Sequence, residues 1–373
     1  MAKSIKINQK MNQSKPIVCL AFILGFLLLN LQPLQAQDLN RSIDELVRAE
    51  IKDENGPGGV FMVAQKGKPI YSKAFGKANL ELDVKLTPES IFQLGSMTKQ
   101  FTSIAILILE EKGLLQTQDP VSKYVADFPN GQNITLHHLL THTSGIRDFT
   151  KMKQLKEIAQ KEMSAQMMVD FFKNEPVDFA PGEKFDYNNS GYVLLGHIIE
   201  VASGSSYEDF IQKNIFEKAG MSHSCYNSDR KIIPKRAYGY QKKETGYVNK
   251  TLINYSVPFA SGALMSNLED LLRWQKALNE NQLLKAENSR KAFTKYKLND
   301  GKEFTYGYGW HLREINGKTS REHGGSIFGY KSMAVYLPES DIYVVGLTNC
   351  DGLSPTQLVQ NIAKLALESL SKR

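Results

Sequence analysis

Ser96 and Lys99 stand three residues apart in LGSMTKQFTSIAILILE (94–110), ahead of an almost unbroken apolar run. If the run is helical, the two side chains share a face. Ser96 then sits at the helix start, where free backbone N–H groups and the helix dipole favour negative charge. A serine there can carry a developing anion on its own oxygen, or help hold one on a substrate. The stretch Ile104 to Leu109 has no polar face, so the helix belongs inside the protein. A partly desolvated lysine at its mouth holds its proton less firmly and can exchange it with the serine. The plainer alternative is an N-cap serine followed by an exposed lysine, since S-x-x-K alone is a weak signal.

Two further stretches carry candidate chemistry. In FAPGEKFDYNNSGYVLLGHIIEVASG (179–204), Tyr187 and Asn189 follow a turn at Pro181-Gly182 and precede an apolar helix from about Tyr192. Both side chains can face a cleft. A phenol ionises near ~10, and a nearby lysine cation would lower that, making Tyr187 a candidate general base. The alternative is a packed tyrosine and a turn asparagine. In HGGS (323–326), on an expected strand, the glycines allow another backbone or a ligand to approach closely. A strand edge with a free N–H can supply an oxyanion donor.

The elements that must position these residues follow from periodicity. SIDELVRAEI (42–51) is helical by its apolar face. GVFMVAQKGKPIYSKAFG gives a hairpin, with strands 59–65 and 69–75 about Gly67. The middle, from about 85 to 300, is mostly helix and loop. SNLEDLLRW places Ser266 and Glu269 in a capping box. Strands return at 304–312, 320–325, 330–337 and 342–349. A last helix follows Ser354 as N-cap, with Pro355 at its first position. The expected fold class is α+β: one antiparallel sheet formed from both chain ends, flanked by terminal helices, with a large mostly helical insertion.

Residues 1–36 read as a secretory signal peptide. Four lysines and no acid precede the apolar run Ile17 to Leu29, and Ala36 offers a small residue for cleavage. The alternative is an anchor that is kept, but the run is short for a span of about 20 residues. The mature domain is then 37–373, with the sheet part at about 37–82 and 300–373 and the helical part at about 83–299. An exported protein, periplasmic or secreted, is the expectation, with no stable membrane span after cleavage. Removing the four lysines lowers the formal charge from +7 to +3. The remaining lysines alternate with acids, which speaks against a nucleic-acid surface. Cys225 and Cys350 remain, paired or free.

S-x-x-K, Y-x-N and H-x-G in this order resemble the serine β-lactamase and penicillin-binding family, in particular its class C branch with the related DD-peptidases and esterases. ITLHHLLTHTSGI, FEKAGM, GALMSNLEDLLRW and YGYGWHL also look like family segments in family order, so the resemblance spans nearly the whole mature chain. It implies a β-lactamase/transpeptidase-like fold, no cofactor and a covalent mechanism. Ser96 would be acylated, Lys99 and Tyr187 would shuttle the proton, and Asn189 would hold the substrate amide. The backbone N–H groups of Ser96 and Ser326 would form the oxyanion hole.

Class C β-lactamases carry lysine where this chain has His323. A histidine near ~6.5 is mostly neutral at pH 7, so a carboxylate clamp there would strengthen in mild acid. Arg321, two residues earlier on the same strand face, is the candidate for fixed charge. His323, Arg321, Gly325, Ser326 and Asn189 are thus the expected substrate-binding set. The expected function is hydrolysis of an amide or ester, from a D-amino-acid peptide such as a cell-wall stem or a small ester, with weak β-lactam turnover. The alternative is a non-hydrolytic peptide- or β-lactam-binding module of the same fold. His138 and His142 are four apart, but no third ligand stands out, and a hydrogen-bonded structural role is expected rather than a metal site.

Overall fold

The computed structural model describes residues 38–370, with Met1 and Ser4. The signal-peptide reading falls on residues outside these. The chain divides into two compact units, Met1–Glu45 and Leu46–Arg373. In the first, the described residues 38–45 are helical, and the helix runs on to residue 50.

The second unit is organised on a six-stranded antiparallel sheet: β1 (Gly59–Gln65), β2 (Lys68–Phe75), β3 (His311–Ile315), β4 (Lys318–Ile327), β5 (Tyr330–Leu337) and β6 (Ile342–Thr348), in spatial order β3-β4-β5-β6-β1-β2. The two chain ends meet in the β6–β1 ladder, from Gly59 opposite Thr348 to Gln65 opposite Ile342. β1 and β6 are β-rich and almost wholly buried, as strands covered on both faces must be. β2 is an edge strand, and its exposed lysines and Pro69 suit an unpaired flank. Lys66 and Gly67, both at positive φ, make the two-residue turn between β1 and β2. The expected strand at 304–312 is displaced. Residues 304–309 are irregular, and the strand begins at His311.

Helices cover both sheet faces. Gly346 has no room for a side chain because Phe61 and Val359 close over it. Val359 belongs to the C-terminal helix (Thr356–Leu370). Tyr343, on the opposite face of β6, lines a cavity shared with Leu272 and Gln275 of the helix Leu268–Asn279, which packs on that strand. That helix is capped by Asn267, whose side chain accepts from the Asp270 N–H at 2.9 Å. The expected cap at Ser266 is therefore corrected by one residue, because Ser266 is held in a short strand, Leu264–Ser266.

Helix α1 (Thr98–Glu111) runs through the middle of the helical part against α2 (Asn189–Ser203). Every residue from Thr98 to Leu109 is buried. Phe101 stacks on Trp274 at 4.2 Å between ring centres. Thr102 Oγ1 donates to the Ala260 carbonyl at 2.7 Å, so even the polar residues of α1 are tied down.

Candidate active site

Ser96 lies one turn earlier than an α-helical reading places it. Gly95–Met97 form a 3-10 turn that leads directly into α1. The turn still brings Ser96 Oγ to 3.3 Å from Lys99 Nζ. Gly95 has φ +53°, and a Cβ there would sit 2.8 Å from the Ser326 nitrogen. A Cβ on Gly325 would sit 1.9 Å from the Leu94 carbonyl oxygen. Two glycines thus let the Ser96 turn close onto β4, backbone against backbone.

Lys99 is fully buried. Its Nζ also reaches Asn189 Oδ1 at 2.8 Å and the Ser261 carbonyl at 2.9 Å. Burial lowers its pKa to about 7, and the Asp148 carboxylate pulls the other way. Near neutrality much of it is therefore an uncharged amine. Such an amine donates two hydrogen bonds, which Asn189 Oδ1 and the Ser261 carbonyl accept. Its lone pair is left for the Ser96 hydroxyl. Asn189 is held in the required orientation by Asp148, whose Oδ2 accepts from Asn189 Nδ2 at 3.1 Å and from its backbone N–H at 3.2 Å. Asn188 caps α2 through the Gly191 N–H, which fixes Asn189 as its first residue.

Tyr187 packs its ring 4.9 Å from Lys99 Nζ. Its hydroxyl oxygen is buried and finds no hydrogen-bond partner among the described residues, although the Ser96 hydroxyl is near enough to act on its ionisation. Burial pushes the phenol well above its ordinary value, and Ser96 only partly offsets this. The expected lowering by a lysine cation is thus overturned: desolvation dominates, and Tyr187 keeps its proton.

Behind Tyr187 lies His142, with ring centres 4.3 Å apart. Its Nδ1 accepts from the Asn188 N–H at 3.0 Å, which places its proton on Nε2. His138 instead closes a capping box with Thr135 at the start of a short helix, so the two histidines do different structural work.

A cleft of about 420 Å³ opens over Ser96, Tyr187, Asn189 and Ser326. Phe149, Leu155, Ile253, Pro258, Ile327 and Phe328 give it apolar walls. His323 and Arg321 do not line it. His323 is 2% exposed; its Nε2 faces the Tyr306 hydroxyl at 3.0 Å and its Nδ1 the Gly324 carbonyl at 2.6 Å. Burial, with His311 and Lys99 nearby, holds its pKa well below the ordinary value. It stays neutral in mild acid, which corrects the expected gain of charge toward pH 6. Arg321 stacks its guanidinium 3.8 Å from the Phe293 ring centre, away from the cleft. His142 takes the hydrogen-bonded structural role expected of it, whereas Asp148, Ser261 and Lys331 were missed by sequence reasoning. Asp148 alone left a local signal, as the capping residue of the turn Phe149–Lys151.

The Beta-lactamase family profile matches residues 43–367. Penicillin-binding protein 4* of Bacillus subtilis (strain 168) is 34% identical over 329 residues, covering 83% of this chain and 71% of that protein. The putative penicillin-binding protein PbpX of the same organism is 30% identical, covering 90% and 78%. Among solved structures, the octameric penicillin-binding protein homologue from Pyrococcus abyssi superposes with a TM-score of 0.77 at 31% identity, over 88% of this chain and 77% of that one. D-amino acid amidase from Ochrobactrum anthropi SV3 shares the fold, with a TM-score of 0.77 at 24% identity over 90% and 99%.

Proposed function

The chain belongs to the Beta-lactamase family, and from that premise we propose that it is an exported serine hydrolase working through an acyl-enzyme on an amide or ester. The observation that carries this reading is Lys99: a buried amine with pKa near 7, aimed at Ser96 Oγ by two other acceptors. Ser96 Oγ attacks the carbonyl carbon and passes its proton to the neutral Lys99 Nζ. The oxyanion faces the backbone N–H groups of Ser96 and Ser326, which the two glycines bring together. As the carbon–nitrogen or carbon–oxygen bond breaks, the leaving group takes the Tyr187 phenolic proton, and the Lys99 ammonium restores it. Water, deprotonated by the same pair, then attacks the ester of Ser96, and the pair returns that proton to Ser96 Oγ as the acyl–oxygen bond breaks and the acid is released.

Tyr187 thus acts as proton donor and relay, and Lys99 as the base. Two titratable groups whose surroundings push their pKa values apart divide the acid and base roles in this way. D-amino-acid peptides and small esters are the first substrates to test. The relatives named penicillin-binding protein and the fold shared with a D-amino acid amidase support that order. Weak acylation by β-lactams follows from the same chemistry. Export rests on the basic start and apolar run of residues 1–36.

The test is the intact mass of the protein after exposure to a fluorophosphonate, beside Ser96→Ala. One adduct on the wild type and none on the variant is the expected result. A folded wild type that takes no adduct replaces the hydrolase by a binding module of the same fold.

A further inference from the structure

The positive charge of this protein is gathered beside the mouth of the cleft. Two segments frame that mouth: residues 150–162 supply Thr150 and Leu155 to its walls, and residues 228–253 supply Ile253. They are tied to each other. Arg230 Nη2 donates to Glu162 Oε2 at 2.8 Å, and the Asn254 N–H donates to the Ala159 carbonyl at 2.8 Å. The turn that carries Phe328 closes against them, because a Cβ on Gly329 would sit 2.6 Å from Lys250 Cβ. Together the two segments hold eleven Lys and Arg against four Asp and Glu. The rest of the chain from residue 37 onward holds four more acids than bases. Lys153, Lys156, Lys161, Lys235 and Lys243 are exposed and form no ion pair among the described residues. Apolar side chains stand among these charges. Ile232 is 95% exposed in the loop between Arg230-Lys231 and Lys235-Arg236, Leu252 is 61% exposed, and Phe328 on the cleft wall is 41% exposed.

We propose that this face docks on an anionic lipid bilayer, with the bases among the headgroup phosphates and Ile232 and Leu252 at the acyl boundary. A soluble polyanion would answer the lysines but leave the apolar side chains in water. A charged bilayer answers both, since it attracts clustered bases and takes up apolar groups at its interface. The acidic remainder of the chain is repelled by the same surface, so the charge asymmetry sets one orientation. In that orientation the opening above Ser96 lies at the headgroups. On the hydrolase reading above, acyl donors held at a bilayer surface then reach the cleft without leaving it. The docking itself does not depend on that reading.

The test sediments the full chain with vesicles of phosphatidylcholine alone and with vesicles of equimolar phosphatidylcholine and phosphatidylglycerol. Wild type and variants share their N-terminal residues, so any binding by residues 1–36 is common to all. Wild type should prefer the anionic vesicles, and the preference should fade as salt is added. Lys235→Glu combined with Lys243→Glu should weaken binding to them by about 100-fold, and Ile232→Ser by about 5- to 20-fold. A second readout follows the loop directly: the emission of Ile232→Trp should move to the blue on anionic vesicles and stay in place on neutral ones. Turnover of a soluble ester should be unchanged in these variants, which shows that they are folded. Equal binding to both vesicles, or anionic binding that neither variant weakens, overturns the proposal. So does soluble polyphosphate that displaces the vesicles while the Ile232→Trp emission never shifts, which replaces the bilayer by a polyanion. Failure of fluorophosphonate labelling at Ser96 rejects the hydrolase reading and leaves the vesicle result standing, so the two failures are told apart.

Discussion

The helical wall and the sheet wall of the cleft each hold a lysine, and they hold it in opposite surroundings. Lys99 on α1 is fully buried, and its Nζ touches Asn189, Ser261 and Ser96. Lys331 on β5 is half-buried, and its Nζ touches the Ser326 hydroxyl. Desolvation brings Lys99 down to about 7 and makes an amine that takes up a proton. Lys331 keeps contact with solvent. The same residue type is thus stripped of water on one wall and left within its reach on the other. The histidine of the H-x-G motif fails as a clamp for the same reason: it is buried deeply enough to be kept neutral.

The largest expected effect breaks the helical side of this comparison. Lys99→Met should lower kcat/KM by about 10³-fold or more, because the proton acceptor for Ser96 is removed. The same variant should be more stable than wild type. In the unfolded chain the lysine titrates at its ordinary 10.5, and in the folded protein at about 7. Between those values the unfolded state binds more protons, so wild-type stability rises with pH across that window. Below pH 7 the folded state bears the full penalty of the buried amine. Thermal melts should therefore show Lys99→Met gaining a few degrees, of the order of 2–5 °C, at pH 6, with the gap closing toward pH 10. An equal gap at both pH values would mean that Lys99 is not a buried titrating base.

Tyr187→Phe sharpens the division of labour. A donor that protonates the leaving group matters most when that group leaves poorly. Amide hydrolysis should fall by about 10²-fold, and turnover of an activated aryl ester by much less. Equal losses on both substrates would return Tyr187 to the role of base. The smallest effect is expected from Asp148→Asn, which keeps a polar group beside Asn189 but removes an anion. Asp148 raises the Lys99 pKa, so the variant's should fall lower than in wild type, and the acidic limb of the pH–rate profile should move to lower pH. A limb that stays in place would separate Asp148 from the titration of Lys99.

Residues close in sequence on one element were readable, and residues joined across elements were not. Ser96 with Lys99, and Tyr187 with Asn189, are short spacings at the mouths of helices, and local geometry carries such patterns. The antiparallel sheet was legible because its strands are β-rich and separated by turn residues, and the family motifs reinforced it. His323 and Arg321 were misplaced because alternation along a strand says which side chains share a face, but not what covers that face. Here the cover is aromatic: Tyr306 on one and Phe293 on the other. Lys331 needs the β4–β5 register before it can be set beside Ser326. Asp148 meets Asn189 across 41 residues, with no periodicity to announce it. The cap at Asn267 was missed by one position, since Ser266 is an equally good capping type and only its strand partner, Phe92, takes it out of contention.

The close approach at Gly95 and Gly325 has a consequence for how this protein can change. The Ser96 turn is set on the sheet by main-chain atoms and by one buried side chain, Ser332, whose Oγ donates to the Leu94 carbonyl at 2.7 Å, so no side chain of the cleft's rim takes part in the contact that fixes the two N–H groups. The rim at Ile253, Phe328 and Lys331 can then be exchanged without moving that contact. Selectivity and chemistry are mechanically uncoupled. A laboratory library at those three positions should yield many folded, fluorophosphonate-reactive variants with altered substrate choice, while a library at the two glycines should yield almost none.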